Sequence, residues 1–183
     1  ADILGGGASL ADKQKAIDSL EHVIRNAPQR KQKERGLYRI VTIFAEKGDW
    51  KDVTIRAKQY LTTEGYRNYA GFVSLLLSQS YDKQGMREDA IASYSKTMGA
   101  FTGQIAVSAP AVTRIMELTW ARKNGNDPQM AYEVGYKYSK STKRLYHQME
   151  DAEKKLWDAV GKLVQQYEDH SSVEKIVEED EDA

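Results

Sequence analysis

The sequence predicts an all-α protein, an array of antiparallel helix hairpins followed by a long C-terminal helix. Only three prolines occur among the 183 residues, so few positions exclude a helix. Runs of alternating β-branched residues, which indicate strands, are nearly absent. Part of the chain also repeats at a step of 37 residues, which is typical of stacked helical units. These three observations together predict the fold class.

The repeat is defined by a large residue, a turn glycine and a small residue that recur in the same order. The earlier set is Phe44, Gly48 and Val53, and the later set is Tyr81, Gly85 and Ala90. A small third residue allows the two helices of a hairpin to approach closely. Ala16 and Ala131 take this position in a truncated unit before these two and in a less regular unit after them. One hairpin cannot bury its apolar face alone, so the units are expected to stack.

This order of residues resembles the tetratricopeptide repeat, in which a large residue closes the first helix and a small residue lies early in the second. The resemblance covers about residues 9–140, and its step is slightly longer than the usual period of about 34 residues. It implies a right-handed α-solenoid. The chain departs from the pattern at Ala57 and Gly135, where an aromatic residue is usual, and in the missing first helix of the first unit.

The pattern divides the chain into four segments. Residues 1–8, with Gly5-Gly6-Gly7, are expected to form a flexible lead-in, and residues 9–140 to form the repeats. Residues 141–170 are expected to form one long helix that caps the repeats, since their apolar side chains recur every three or four positions. Residues 171–183 are expected to be an acidic, disordered tail.

Helix starts can be read from capping residues. Asp49 is expected to cap a helix that begins at Trp50. Asp127 is expected to cap another, because Pro128 fits the first turn, where its missing N–H group is not needed. The long C-terminal helix is expected to run without interruption from about residue 142 to residue 168.

The sequence does not indicate an enzyme, a cofactor or a metal site. It has no cysteine, which excludes disulfides, thiolate ligands and cysteine nucleophiles. The local motifs of zinc proteases, phosphate-binding loops and serine hydrolases are also missing. His147, Glu150 and Asp151 have the spacing of three metal ligands on one helix face. Charged helices often carry such a set, so we interpret it as a solvated face.

The resemblance implies a partner-binding groove, because the first helices of tetratricopeptide units line a concave surface that binds peptides. The residues that this frame assigns to the groove are Arg35, Tyr38, Arg39, Thr42, Leu75, Gln79, Asp82, Met116, Trp120 and Lys123. The alternative is that Leu75 and Met116 belong to the core and that Trp120 faces the long helix. Trp157, Val160 and Val164 are a candidate dimer face, and the alternative is that they pack on the helix at residues 130–138.

The expected function is therefore a non-catalytic scaffold, monomeric or homodimeric, that binds a protein or peptide. The alternative is an RNA-binding helical repeat protein. The last ten residues carry six acids and one lysine, so the rest of the neutral chain has five excess positive charges. Neutrality overall does not favour nucleic acid. The acidic tail could also dock on the basic stretch at residues 30–35.

The sequence leaves the compartment open. Its longest apolar run is too short to cross a bilayer. The given sequence begins at Ala1 and not at a methionine. We therefore expect that a signal peptide was removed, which would imply an exported bacterial protein.

Overall fold

The computed structural model describes residues 9–121, 127–170 and 172–176. Within these ranges the chain forms eight α-helices and one 3-10 helix, and it forms no strand. The α-helices are α1 (Leu10–Asn26), α2 (Arg30–Lys47), α3 (Trp50–Thr62), α4 (Ala70–Lys83), α5 (Arg87–Ala100), α6 (Ile105–Trp120), α7 (Pro128–Thr142) and α8 (Asp151–Glu168). The 3-10 helix, Lys143–Gln148, lies between α7 and α8. The all-α prediction is confirmed.

Two parts of the sequence prediction lie outside the described residues, namely the lead-in at residues 1–8 and most of the acidic tail. Among the residues that the structure does describe, no helix combines the length and the apolar character needed to cross a membrane.

The helices form two compact units, Ala1–Met86 and Arg87–Ala183. In the first unit, α2 packs against α1 and α3, α3 packs against α4, and α2 also contacts α4. In the second unit, α6 packs against α5 and α7, while α8 contacts both α6 and α7. Each unit therefore follows one scheme, in which consecutive helices pack and the second also contacts the fourth. The sequence analysis also predicted a hairpin of α4 and α5. Because α4 belongs to the first unit and α5 to the second, this hairpin stays a prediction.

The small residues of the repeat lie in the cores of their units. Val53, Ala90 and Ala131 have no exposed surface, whereas Ala16 of the truncated unit is half-buried. In the first unit, Val53 lies in one apolar cluster with Leu37 of α2 and with other residues of α2, α3 and α4. The burial of Val53 against α2 agrees with the close approach of paired helices that the sequence pattern predicts, whereas the approach at Ala90 belongs to the hairpin of α4 and α5 and stays a prediction.

Gly135 shows why one departure from the repeat pattern is needed. A Cβ atom placed on this residue of α7 would lie 2.5 Å from Cε and Sδ of Met116 and 2.7 Å from Cγ2 of Val164. These distances are well below van der Waals contact. The glycine thus allows α6 and α8 to approach α7 closely, and no aromatic side chain could take its place.

The prediction of one uninterrupted helix from residue 142 to residue 168 is wrong. The chain leaves α7 through the 3-10 helix, and Met149 then adopts an extended conformation with its side chain buried. Glu150 caps α8 in a capping box with Glu153, in which each side chain accepts a hydrogen bond from the other residue's backbone N–H group. The apolar spacing continues across this break, so periodicity could not reveal it.

The two predicted helix caps differ. Asp127 Oδ1 accepts a hydrogen bond from the N–H group of Met130 at 2.8 Å, as a capping side chain should. Asp49 does occupy the capping position of α3, but its carboxylate makes no capping bond. It pairs instead with Lys47 Nζ at 2.9 Å.

Candidate functional site

A groove of about 900 Å³ lies between α1 and α2 in the first unit. Its volume falls in the range of about 300–1,000 Å³ that is usual for ligand sites. From α1 and its C-terminal end the lining residues are Leu20, His22, Val23, Asn26 and Ala27. From α2 they are Gln32, Arg35, Tyr38 and Arg39. Tyr69, which directly precedes α4, completes the lining. Three of the predicted partner-binding residues, Arg35, Tyr38 and Arg39, are thus brought together here.

Two stacked tyrosines form one part of the groove lining. The rings of Tyr38 and Tyr69 are nearly parallel, with an interplanar angle of 2° and a centroid distance of 4.2 Å. Both residues are half-buried. Such a pair presents a rigid surface with apolar faces and polar hydroxyl groups, which is the kind of surface that anchors a bound chain.

The two arginines of the groove differ in their partners. Arg39 Nη1 donates hydrogen bonds to Glu46 Oε1 at 3.2 Å and to Thr42 Oγ1 at 3.1 Å. Arg35 is exposed, and among the residues that the structure describes it has no hydrogen-bond or ion-pair partner. A guanidinium with five N–H donors and no protein acceptor is available to bind a carboxylate from outside.

A buried carboxylate, that of Glu34, is connected through hydrogen bonds to Tyr69 of the groove. Glu34 of α2 is 2% exposed. Its Oε1 accepts hydrogen bonds from the hydroxyl of Tyr60 at 2.5 Å and from the N–H groups of Arg67 and Asn68 at 2.8 and 2.7 Å, and its Oε2 accepts one from Asn68 Nδ2 at 2.5 Å. The Tyr60 hydroxyl accepts in turn from the N–H group of Tyr69 at 2.9 Å. The network therefore sets the position of Tyr69 in the groove.

The hydrogen bonds keep this carboxylate ionised. Burial by itself raises the pKa of Glu34, but the bonds from Tyr60, Asn68 and Arg67 outweigh that effect and hold the pKa below its ordinary value. The hydrogen bond between Tyr60 and Glu34 has the opposite effect on the pKa of the Tyr60 hydroxyl. Burial and the neighbouring Glu34 carboxylate raise the pKa of Tyr60 well above its usual range, so its proton stays available to the carboxylate.

The basic stretch at residues 30–35 does not form a uniform positive patch. Arg30 lies against the loop at Gly65, where a Cβ atom would collide with its guanidinium. Glu34 is buried, and Arg35 faces the groove. The tail residues that were expected to dock here, from Glu178 to Asp182, lie outside the described residues.

Four other predicted partner-binding residues of the first unit do not line this groove. Thr42 is half-buried and accepts a bond from Arg39, so it supports the groove indirectly. Leu75 of α4 is buried, as the alternative interpretation expected. Gln79 and Asp82, also on α4, are half-buried.

The two predicted partner-binding residues of the second unit that the structure describes, Met116 and Trp120, pack against other residues of their own unit. Met116 is fully buried in the core. Trp120 stacks on Tyr167 of α8 at a centroid distance of 4.0 Å and contacts the edge of His170 at 4.9 Å. Lys123 lies outside the described residues. Met116 and Trp120 thus follow the alternative that the sequence analysis kept open, namely core packing and contact with the last helix.

The candidate dimer face is occupied within its own chain. Val160 has no exposed surface. Val164 lies so close to α7 that it would contact a Cβ atom on Gly135. Trp157 Nε1 donates a hydrogen bond to Thr142 Oγ1 at 2.8 Å. These side chains pack α8 on α7, as the alternative interpretation expected, while Trp157 and Val164 are half-buried.

The three candidate metal ligands, His147, Glu150 and Asp151, do not have the arrangement that their spacing predicted. His147 lies in the 3-10 helix, whereas Glu150 and Asp151 lie beyond the extended Met149, so the three residues do not share one face of a continuous helix. In the part of the chain that the structure describes, no group of three or more His, Asp or Glu side chains could hold a metal ion.

Comparison with protein-family models, with curated proteins and with solved structures gives no match. The interpretation of the groove therefore depends on its own geometry.

Sequence reasoning missed two parts of this groove. The α1 side, with Leu20 and Val23, was missed because the resemblance assigned binding to first helices only. Tyr69 and the Glu34 network that holds it were missed because the contacts of Glu34 join it to residues 26 to 34 positions further along the chain. The one available signal was that Glu34 is the single acid in the basic stretch at residues 30–35.

Proposed function

We propose that this chain is a non-catalytic interaction module that binds a peptide segment of a partner protein in the groove between α1 and α2. The observation that carries the proposal is the exposed, unpartnered Arg35 in a groove that also contains the stacked Tyr38 and Tyr69. A charged donor beside a rigid aromatic surface is a common composition for a peptide anchor.

The groove chemistry specifies the peptide. The Arg35 guanidinium suits a carboxylate, to which it can donate two parallel hydrogen bonds. Leu20, Val23 and the tyrosine pair suit an apolar or aromatic side chain beside that carboxylate. We therefore propose a segment in which an Asp or Glu lies next to a large apolar residue.

We also propose that the fold is a tetratricopeptide-like, right-handed α-solenoid. The 37-residue step and the buried small residues Val53, Ala90 and Ala131 support it. The packing scheme shared by the two units supports it as well, because in a solenoid each helix packs on its sequence neighbours and on the next equivalent helix.

A matched pair of charge variants tests the peptide site. Peptides are first selected from a random display library on the full chain, and their binding is then measured by fluorescence polarisation. Arg35→Gln should weaken the selected peptides about tenfold, as expected for the loss of one charge-assisted pair. Lys31→Gln removes the same charge from an exposed residue of α2 that does not line the groove, so it should leave affinity nearly unchanged.

Two outcomes would contradict the proposal. One is a set of selected peptides without Asp or Glu, and the other is an equal effect of the two variants. RNA is the remaining candidate partner, and we favour a peptide because Glu46 pairs with Arg39 and so weakens the positive field that a phosphate chain requires. Tighter binding of single-stranded RNA than of any peptide, with a steep decrease in added salt, would reverse this choice.

A further inference from the structure

The chain turns back on itself after α8. The N–H group of Val173 donates to the carbonyl of His170 at 3.0 Å, and the N–H group of Ser172 donates to His170 Nδ1 at 3.2 Å. This turn directs residues 172–176, hereafter the C-terminal strap, onto α7. The strap contains no helix.

A glutamine side chain holds the main chain of the strap. Gln129 Oε1 accepts from the N–H group of Glu174 at 2.8 Å, and Gln129 Nε2 donates to the carbonyl of the same residue at 3.1 Å. The N–H and C=O groups of one residue point to the same side where the backbone is extended, as in a strand pair. Gln129 Nε2 also donates to Glu133 Oε1 at 3.2 Å, which fixes the orientation of the amide.

A second main-chain contact lies two residues further on. The hydroxyl of Tyr132 accepts from the N–H group of Ile176 at 3.3 Å, and it donates to Glu168 Oε1 at 3.4 Å. Neither Gln129 nor Tyr132 contacts a side chain of the strap through these bonds. The hydrogen bonds therefore recognise main-chain groups of the strap without regard to its side chains.

The side chains of the strap divide into two classes. Val173 and Ile176 are half-buried and pack against the core cluster of the second unit, which includes Tyr132. Ser172, Glu174 and Lys175 are exposed, and the one ion pair among them joins Lys175 to Asp169 at 3.7 Å between two exposed groups. Such a pair contributes little. The sequence requirement is thus two branched aliphatic residues three positions apart.

We propose that the strap occupies a second binding site, formed by the first turns of α7 and by the end of α8, which accepts a non-helical segment of a partner protein in its place. The partner segment carries two branched aliphatic residues three positions apart, like Val173 and Ile176. This site is separate from the groove between α1 and α2 and does not depend on the function proposed for it.

Few contacts hold the strap, namely three hydrogen bonds to the side chains of Gln129 and Tyr132 and two half-buried aliphatic side chains, so its local opening should cost little free energy. A short covalent connection gives an intramolecular segment an effective concentration of the order of millimolar. A free peptide with the same contacts should therefore displace the strap at about millimolar concentration. A partner with additional contacts would do so at lower concentration.

The absence of cysteine from the sequence provides a direct test, since a single engineered thiol is a unique probe. In full-length I176C, the thiol takes the place of a half-buried strap side chain, and its rate of labelling by a thiol reagent reports release of the strap. We expect labelling about tenfold slower than for the same variant in denaturant. A capped peptide with the sequence of residues 172–177, added at about 5 mM, should increase this rate severalfold.

Three controls make the result specific. A peptide with Asp in place of its first Val and its Ile should have no effect on the rate. K175C places the thiol at an exposed strap residue and should be labelled rapidly with or without peptide. Gln129→Ala combined with I176C should increase the labelling rate without peptide, because the main chain of Glu174 loses both of its hydrogen bonds to Gln129, while the helical circular dichroism is unchanged.

The proposal would be overturned by any of three results. Amide hydrogen exchange at Glu174 and Ile176 of the unsubstituted chain as rapid as in denaturant would mean that the strap is not docked. A slow rate that the peptide does not change would mean that the site does not exchange its occupant. A chain mass by light scattering that doubles with concentration and is restored by the peptide would assign the site to a second copy.

Discussion

The buried Glu34 network gives the sharpest prediction about this protein. Glu34→Gln keeps the shape of the side chain but replaces one acceptor oxygen by an NH₂ group. Four donor groups now converge on the carboxylate, from Tyr60, Arg67 and twice from Asn68. After the substitution one of these donors meets another donor, and the remaining bonds lose the contribution of the negative charge.

The magnitude follows from these contacts. A hydrogen bond to a charged group contributes about 1.5–3 kcal/mol, and one between neutral groups about 0.5–1.5 kcal/mol. Weakening three bonds by about 1 kcal/mol each and losing the fourth, which contributes about 1.5–3 kcal/mol, gives a gross loss of about 5 kcal/mol. Relief from burying a charge returns part of this loss. We therefore expect Glu34→Gln to reduce the free energy of unfolding by about 2–3 kcal/mol at neutral pH.

The assay is urea denaturation followed by circular dichroism at several pH values. The pKa of Glu34 is lowered in the folded chain, so its contribution to stability is present above the unfolded value of 4.5 and is lost as the pH falls through the folded value. The difference between wild type and Glu34→Gln should thus decrease below about pH 4.5. Glu64→Gln, at an exposed residue, is the matched control and should change stability by less than about 0.5 kcal/mol.

Two results would refute this reasoning. One is a Glu34→Gln variant as stable as the Glu64→Gln control at neutral pH. The other is a difference from wild type that stays constant from neutral pH to pH values well below 4.5, because the loss would then not depend on the charge.

Other predictions concern the packing of the second unit and use the same denaturation assay. Gly135→Val should reduce stability by about 3 kcal/mol because α6 and α8 leave no space for a side chain. Gly161→Ala lies in α8 with no atom near the added methyl group, so it should raise stability by about 0.5–1 kcal/mol through helix propensity. Trp157→Phe removes the bond to Thr142 and should reduce stability by about 1 kcal/mol. Equal effects of the two glycine substitutions, or a neutral Trp157→Phe, would contradict these assignments.

Part of the candidate groove was predictable from the sequence because it lies on one helix face. Arg35, Tyr38 and Arg39 follow a spacing of three and four residues, which places them side by side on α2. The structure brings these three residues to the same groove. The same frame placed Leu75 and Met116 on a binding surface, and both are buried. A spacing rule shows which residues share a face, but it does not show which neighbouring element covers that face.

The break at Met149 illustrates a second limit. Apolar residues recur every three or four positions on both sides of it, and a change of helix type preserves that spacing. What separates α8 from the preceding turn is the reciprocal capping by Glu150 and Glu153 together with the burial of Met149. Glutamate is not among the residues preferred at a helix N-cap, so the capping rules do not indicate this start, and the burial of Met149 is a consequence of packing.

The sequence by itself determined that this chain is helical, that α3 and α7 begin at Trp50 and Pro128, and that the small residues Val53, Ala90 and Ala131 are buried. These properties depend on local conformational preference and on apolar periodicity, which act over a few residues. Only the tertiary structure decided that Tyr69 stacks on Tyr38, that Glu34 holds Tyr69 through Tyr60, and that Gln129 binds the strap. Each of these contacts joins different secondary-structure elements. Side-chain packing between those elements selects them, and no local pattern encodes that packing.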